Sequence, residues 1–384
     1  MVGLIPRVRV NYNLLDLIKA LLAGRGIGRK YEQLRQTICA YFCIDDILLT
    51  SSGRSSIYML LRYLPQSKVI VPAYTCKVVV EAALMAGKNI IYAPTSSKTF
   101  NISSLPDVDS DSIVIATHQY GLPCDIDRIC DKCKKSGAIV IEDCAASLGT
   151  KINGKLTGLF GDFSIFSFDS SKMINVPSKG GFIIAKDVRL LKEIHQKTPT
   201  VSCSIMYKMK HLVRGGIYVA LRSKHLYKIF HYITMGRSGK MQLDDHSGLD
   251  TTLGEFYTHG FYEWQAVIAL RQFRQLDKYI AKRHQVYSYY SENIINPKIK
   301  RPIYEKEAAC IRYALLVENK KKFYEECIKH GVDMGFSFNS IACPSDWTEE
   351  RMISDEILNL PYYYNLSEGE KNHIVQTINA IKSW

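Results

Sequence analysis

The residues best suited to chemistry are one lysine and one aspartate on neighbouring apolar stretches. Lys172 lies in Ser164-Ile-Phe-Ser-Phe-Asp-Ser-Ser-Lys172-Met-Ile-Asn-Val-Pro-Ser-Lys-Gly180-Gly181-Phe-Ile-Ile-Ala185. Apolar residues at both ends predict two short buried strands, and Gly180-Gly181 lets the chain fold back tightly between them. A lysine on such a turn can be partly desolvated, which lowers its pKa and suits it to imine chemistry; it can equally be an ordinary surface lysine. Asp143 belongs to Ala138-Ile-Val-Ile-Glu-Asp143-Cys-Ala-Ala-Ser-Leu-Gly149, an apolar strand ending in acids and followed by small residues. Open α/β sheets place ligand contacts at such carboxyl ends. An imine-forming lysine and a carboxylate able to pair with a pyridinium nitrogen are the minimal site for pyridoxal phosphate.

The elements that must position these two residues alternate regularly. Lys68-Val-Ile-Val, Asn89-Ile-Ile-Tyr, Ser112-Ile-Val-Ile-Ala and Ala138-Ile-Val-Ile predict strands, with helices over 77–87 and 125–136. That rhythm predicts a mainly parallel sheet covered by helices on both faces. Ile47-Leu-Leu-Thr50 leads into Ser51-Ser-Gly53-Arg54-Ser55-Ser56, and a helical pattern follows from Ile57. Small polar residues opening a helix offer amides and hydroxyls to an anion, or simply cap the helix. Residues 13–24 predict an amphipathic helix closed by glycine, its apolar stripe read as packing. A long helix from Trp264 past Arg283 joins a smaller α/β part. The expected division is a large cofactor-binding domain at 1–245 and a small C-terminal domain at 246–384.

Composition sets the class. The chain has 384 residues, 47% of them hydrophobic, which is globular and argues against disorder. Its net charge of +13 favours anionic partners, but no nucleic-acid-binding signature is present. Eleven scattered cysteines suggest free thiols in a reducing compartment. Cys130 and Cys133 form one CxxC without a second pair, so no metal site is expected. The start lacks a secretory core and no run of about 18 apolar residues occurs, giving a cytoplasmic expectation. From Ile194 to Leu243 there are nine Lys or Arg and no acid. Ile205, Met209, Leu212 and Val213 share one helical face there, and Leu226, Ile229, Phe230 and Ile233 another, with Gly215-Gly216 expected to break the helix between them. Such a basic amphipathic pair is a subunit-packing arm whose cations meet substrate phosphates across the dimer, a peripheral membrane contact through 205–233, or a solvated face.

Four stretches, in order, resemble the DegT/StrS-type sugar aminotransferases. They are Ser51-Ser-Gly-Arg-Ser-Ser56, Val71-Pro-Ala-Tyr-Thr-Cys76, Ile141-Glu-Asp-Cys-Ala145, and Ser167-Phe-Asp-Ser-Ser-Lys172 with Gly180-Gly181. Weaker echoes are His118-Gln-Tyr-Gly121, Gln265 to Gln272 and Leu358-Asn-Leu-Pro361. The resemblance implies a fold-type I enzyme dependent on pyridoxal 5'-phosphate. It makes Lys172 the lysine that holds the cofactor and Asp143 the partner of its ring nitrogen. Gly53, Arg54, Ser55 and Ser167 become phosphate ligands, while Cys76 and Ala145 flank the ring. It also implies a homodimer that moves an amino group, from glutamate, to a keto sugar carried on a nucleotide, for polysaccharide or amino-sugar biosynthesis. A keto-cyclitol or lipid-linked keto sugar, and an inactive relative with a binding role, are the alternatives. The chain departs from the family at Arg54 (often threonine), Cys76 (an aromatic) and Ala146 (glutamine or histidine). It departs again at Thr258 and Gly260, where relatives carry an Asn that reaches the partner subunit's phosphate and an Arg.

Overall fold

Strands apolar on both faces must be covered on both, and the helices of this chain are distributed accordingly. The computed structural model describes residues 3–198, 200–235, 248–301, 303, 306–344 and 346–382. Its strands are β1 (Leu48–Thr50), β2 (Lys68–Pro72), β3 (Asn89–Ala93), β4 (Ser112–Thr117), β5 (Ile139–Asp143), the short pair β6 (Lys151–Ile152) and β7 (Lys155–Leu156), β8 (Phe163–Ser167), β9 (Gly181–Ala185), β10 (Tyr313–Leu316) and β11 (Ile357–Leu360). Its helices are α1 (Leu14–Leu22), α2 (Arg29–Phe42), α3 (Gly53–Tyr63), α4 (Lys77–Met85), α5 (Ile126–Ser136), α6 (Arg189–Lys197), α7 (Ile205–Ala220), α8 (Lys224–Met235), α9 (Glu255–Thr258), α10 (Glu263–Phe273), α11 (Leu276–Asn293), α12 (Lys320–Lys329), α13 (Thr348–Glu356) and α14 (Glu368–Ala380).

Seven strands form one sheet in the order β1-β9-β8-β5-β4-β2-β3. β3, β2, β4, β5 and β8 run parallel; β9 is antiparallel to β8, and β1 to β9. One face, including Ile141, Ile165 and Ile183, packs with α3, α4 and α6. The other packs Val114 and Val140 on α5, and Phe166 and Phe182 against α2 and α10. This is the mainly parallel, doubly covered α/β sheet that the strand spacing predicts. A second core gathers Leu315 and Leu358 of the antiparallel pair β10–β11 with Tyr290, Phe323 and Ile374 from α11, α12 and α14. The expected domain division at 245/246, and residues 236–243 of the acid-free segment, lie outside the described residues.

Three expectations about helices are corrected. The helix expected to run on from Trp264 is two, α10 and α11, separated at Arg274 and Gln275. The break lets Trp264 and Ile268 serve the first core while Val286 and Tyr290 turn into the second. Gly215-Gly216 does not break α7, which runs through both. A Cβ on Gly215 would lie 2.8 Å from Pro177 Cγ and 3.0 Å from Leu17 Cδ2, so the glycine allows helix contact. The apolar stripe of α1 is not packing: Leu17 and Ala20 are buried, but Leu14, Leu15, Ile18 and Leu22 are exposed.

Candidate active site

β5, β8 and the start of α3 all end at one edge of the sheet, and that edge carries the site. Register aligns Thr117 with Asp143 and Asp143 with Ile165, so the strand ends converge. A cavity of about 320 Å³ opens there. Gly53, Arg54, Cys76, Asp143, Ala145, Ser167 and Lys172 line it, seven of the eight residues expected to hold the cofactor. The eighth, Ser55, is fully buried in the first turn of α3. Its amide donates to Ser52 Oγ at 3.0 Å and its own hydroxyl has no partner.

At one end α3 presents its positive N-terminus. A Cβ on Gly53 would sit 3.0 Å from Ser167 Cβ and 3.3 Å from its Oγ, so glycine lets the helix start approach Ser167 closely. The Ser51 and Ser52 hydroxyls donate to the Phe256 carbonyl at 2.8 and 2.9 Å. The Arg54 guanidinium stands 5.9 and 5.7 Å from the ring centres of Phe256 and Tyr257. Thr258 ends α9, and neither it nor Gly260 is among the residues lining the cavity.

At the other end Lys172 hangs from the turn after β8. Burial and the nearby Arg312 charge push its pKa below the usual lysine value, against the pull of Asp143, Cys76 and Asp169. Asp143 is 6% exposed, and burial raises its carboxyl pKa. Its Oδ1 accepts the Ala145 amide at 3.0 Å. Lys179 also lines the cavity, but its Nζ is 3.1 Å from Asp169 and 4.5 Å from the centre of the Phe256 ring.

Strand alternation sends Glu142 to the opposite face from Asp143. There its Oε2 meets His118 Nε2 at 3.1 Å and accepts the Gly158 amide at 2.8 Å, while Oε1 accepts Phe160 and Gly161. His118 Nδ1 accepts the Cys124 amide at 3.1 Å. His118, Glu142 and Cys144 are close enough to share a cation, yet both ring nitrogens and both carboxylate oxygens are already engaged. This network is therefore a buttress under β5. Cys130 and Cys133 sit on α5 as free thiols.

The sequence did not single out Arg312, Asp169 or Thr117 as site residues. Arg312 reaches the cavity from just before β10 and donates to Ser171 Oγ at 3.3 Å and Asn359 Oδ1 at 3.4 Å. Nothing local marks it, because its partners come from two other elements of the chain. The buried hydroxyls of Thr75 and Thr117 also face the cavity without a hydrogen-bond partner. Unsatisfied buried hydroxyls are costly, and they are met when a polar ligand fills the space. With a positive helix start at one end and an amine and a carboxylate at the other, the donor set fits pyridoxal phosphate.

The model of the DegT/DnrJ/EryC1/StrS aminotransferase family matches residues 17–379. The chain is 26% identical over 315 residues to the UDP-N-acetyl-3-dehydro-alpha-D-glucosamine 3-aminotransferase of Acidithiobacillus ferrooxidans, covering 78% of this chain and 73% of that protein. It is 22% identical over 371 residues to the dTDP-3-amino-3,6-dideoxy-alpha-D-galactopyranose transaminase of Aneurinibacillus thermoaerophilus, covering 92% of this chain and 90% of that one. Among solved structures, a DegT DnrJ EryC1 StrS aminotransferase from Brucella abortus superposes with a TM-score of 0.72 at 17% identity, over 95% of this chain and 93% of that one. The aminotransferase TlmJ from Streptoalloteichus hindustanus gives 0.73 at 15% identity, over 98% of both. The architecture is the fold-type I architecture of these enzymes.

Proposed function

The chain belongs to the DegT/DnrJ/EryC1/StrS aminotransferase family, and on that premise we propose that it moves an amino group from L-glutamate to a keto sugar carried on a nucleotide, in amino-sugar or surface-polysaccharide biosynthesis. It is an aminotransferase dependent on pyridoxal 5'-phosphate. One observation supports the residue roles: Lys172, on the turn after β8, and Asp143, at the end of β5, line one cavity with the start of α3 and Ser167. When bound, the cofactor supplies an electron sink for the carbon whose proton is exchanged.

Lys172 Nζ anchors the cofactor and then moves that proton, a task favoured by an amine whose pKa is held below the ordinary lysine value. The Asp143 carboxylate keeps the proton on the ring nitrogen. Gly53, Arg54 and Ser167 hold the phosphate from the cavity wall, and Ser55, buried behind it, secures the first turn of α3 through its amide on Ser52. Cys76 and Ala145 flank the ring. The half-buried guanidinium of Arg312, steadied by Ser171 and Asn359, takes an anionic group of the substrate. The nucleotide carrier is supported by the UDP and dTDP sugars in the names of the relatives and by this chain's charge of +13. A homodimer and a cytoplasmic location belong to the same proposal; the first rests on family membership, the second on eleven free thiols.

The test is a mass-spectrometric screen of UDP-, dTDP- and GDP-linked keto sugars with glutamate as donor. An amino-sugar product supports the reading. Turnover confined to a lipid-linked or cyclitol ketone overturns the nucleotide carrier, and light scattering of the purified protein decides the dimer.

A further inference from the structure

Most of the exposed large apolar side chains among the described residues lie away from the active site. Among the described residues, 21 large hydrophobic side chains are exposed, and fifteen of them sit on α1, α7 and α8. On α7 the outward stripe is Met206, Met209, Val213 and Ile217, while Tyr207, His211 and Gly215 face inward. On α1 it is Leu14, Leu15, Ile18 and Leu22, and on α8 Leu226, Ile229, Phe230 and Ile233. Three amphipathic helices with their apolar sides turned outward are the reverse of what a packing role requires.

The α1 and α7 stripes are held side by side. Lys208 is buried between the helices, its Nζ donating to the carbonyls of Leu21 at 2.9 Å and Ala23 at 2.6 Å. Gly215 lets α7 approach Leu17 of α1. α8 follows α7 after a turn of three residues.

Charge identifies the occupant. Exposed cations flank the stripes at helical spacing: Lys19 on α1, and Lys210 and Arg214 on α7. Lys210 pairs with Glu255 at 2.9 Å, and Arg214 donates to the Tyr218 hydroxyl at 2.8 Å. Neither α7 nor α8 contains an acid, and the one on α1, Asp16, is buried and paired with Arg271 at 2.7 Å. A second copy meeting this face across a two-fold axis would set these cations against themselves. An anionic bilayer supplies both what the stripes bury in and the charge the flanks require. No helix among the described residues is long and apolar enough to cross a membrane, so the contact is a surface one.

We propose that the outward face of α1, α7 and α8 docks the enzyme on an anionic lipid surface. The site chemistry does not depend on this, and the two can fail separately. The test is flotation of the cofactor-loaded full chain with vesicles of phosphatidylglycerol and phosphatidylcholine, and with phosphatidylcholine alone, at physiological salt. The expected result is flotation with the anionic vesicles and at least tenfold less with the neutral ones. Arg214→Gln should weaken it about fivefold, the effect of one cation near such a surface. The triple variant Ile18→Asp, Val213→Asp, Ile229→Asp should abolish it, with thermal midpoint and cofactor absorbance unchanged because these side chains are exposed. Absent flotation, equal flotation on both vesicles, or a triple variant that floats normally overturns the proposal. So does a triple variant that falls to a lower oligomeric state, which would make this face a contact between copies.

Discussion

At the scale of single residues, the roles separate by what each side chain is already bound to. Lys179 is seven residues from Lys172 and lines the same cavity, but its charge is committed to Asp169 at 3.1 Å. Borohydride reduction of the loaded protein should therefore leave the pyridoxyl mass on the Lys172 peptide; finding it on Lys179 would reverse the assignment. Asp143→Asn should still bind cofactor but lose at least about 10²-fold in turnover, the scale of one preorganised electrostatic group. Near-normal turnover would hand the ring proton to another group, and Glu142 is a poor candidate, since three backbone amides and His118 occupy it. Arg312 gives a pH test. Its charge helps hold the Lys172 pKa down, so Arg312→Gln raises that pKa and the neutral amine becomes scarce at a given pH. The rate at which apoenzyme takes up pyridoxal phosphate, followed by absorbance, should then move to higher pH; an unmoved profile removes Arg312 from the lysine's electrostatics. That Lys172 and Asp143 would lie close together was legible in the sequence, because Asp143 ends one short apolar strand, β5, and Lys172 closely follows another, β8. Arg312 was not, because its position is set by Ser171 and Asn359, far away in the chain.

At the scale of elements, short-range pattern located the strands well and misjudged helices whose fate is decided by their neighbours. The parallel strands were readable because each is a brief apolar run between helices. The stripe of α7 was readable in part: Ile205, Met209 and Val213 are exposed together, but Leu212, assigned to the same face, is buried, and periodicity does not say what a face meets. The two glycines of α7 make the point testable. A Cβ on Gly216 would meet nothing within 4 Å, so Gly216→Ala should gain up to about 1 kcal/mol from helix propensity. A side chain at Gly215 meets Pro177 and Leu17, so Gly215→Val should lose about 1–3 kcal/mol to overpacking. Thermal midpoints moving in opposite directions for adjacent glycines would confirm a helix-contact role for Gly215. Equal stabilisation of both would restore the expected hinge.

At the scale of the whole molecule, the first residues of the chain tie the two cores together and reach the active-site turn. The Ile5 amide donates to the Gly331 carbonyl at 2.8 Å, and Arg7 pairs with Asp333 at 3.0 Å, both in the second core. Arg9 Nη2 meets Glu370 Oε1 of α14 at 2.6 Å. Two residues on, Asn11 donates from its amide to Asn175 Oδ1 at 2.9 Å and from Nδ2 to the Met173 carbonyl at 2.8 Å, directly after Lys172. The Arg9–Glu370 pair is nearly buried, and breaking it leaves Arg9 without its carboxylate. Burial alone would raise the Glu370 pKa, but Arg9, the Ser367 amide and Lys224 bring it down to about 2 from an ordinary 4.5. A carboxyl whose folded pKa is depressed contributes stability that is complete above 4.5 and is lost as pH falls through about 2. Glu370→Gln should therefore destabilise the protein at pH 7 by roughly 1–3 kcal/mol, and the gap from the parent should narrow as pH falls below 4.5. Urea unfolding of both proteins at pH 7 and pH 3 measures that gap. A gap that stays constant between the two would mean the Arg9 pair does not carry the charge coupling that joins the chain's start to its last helix.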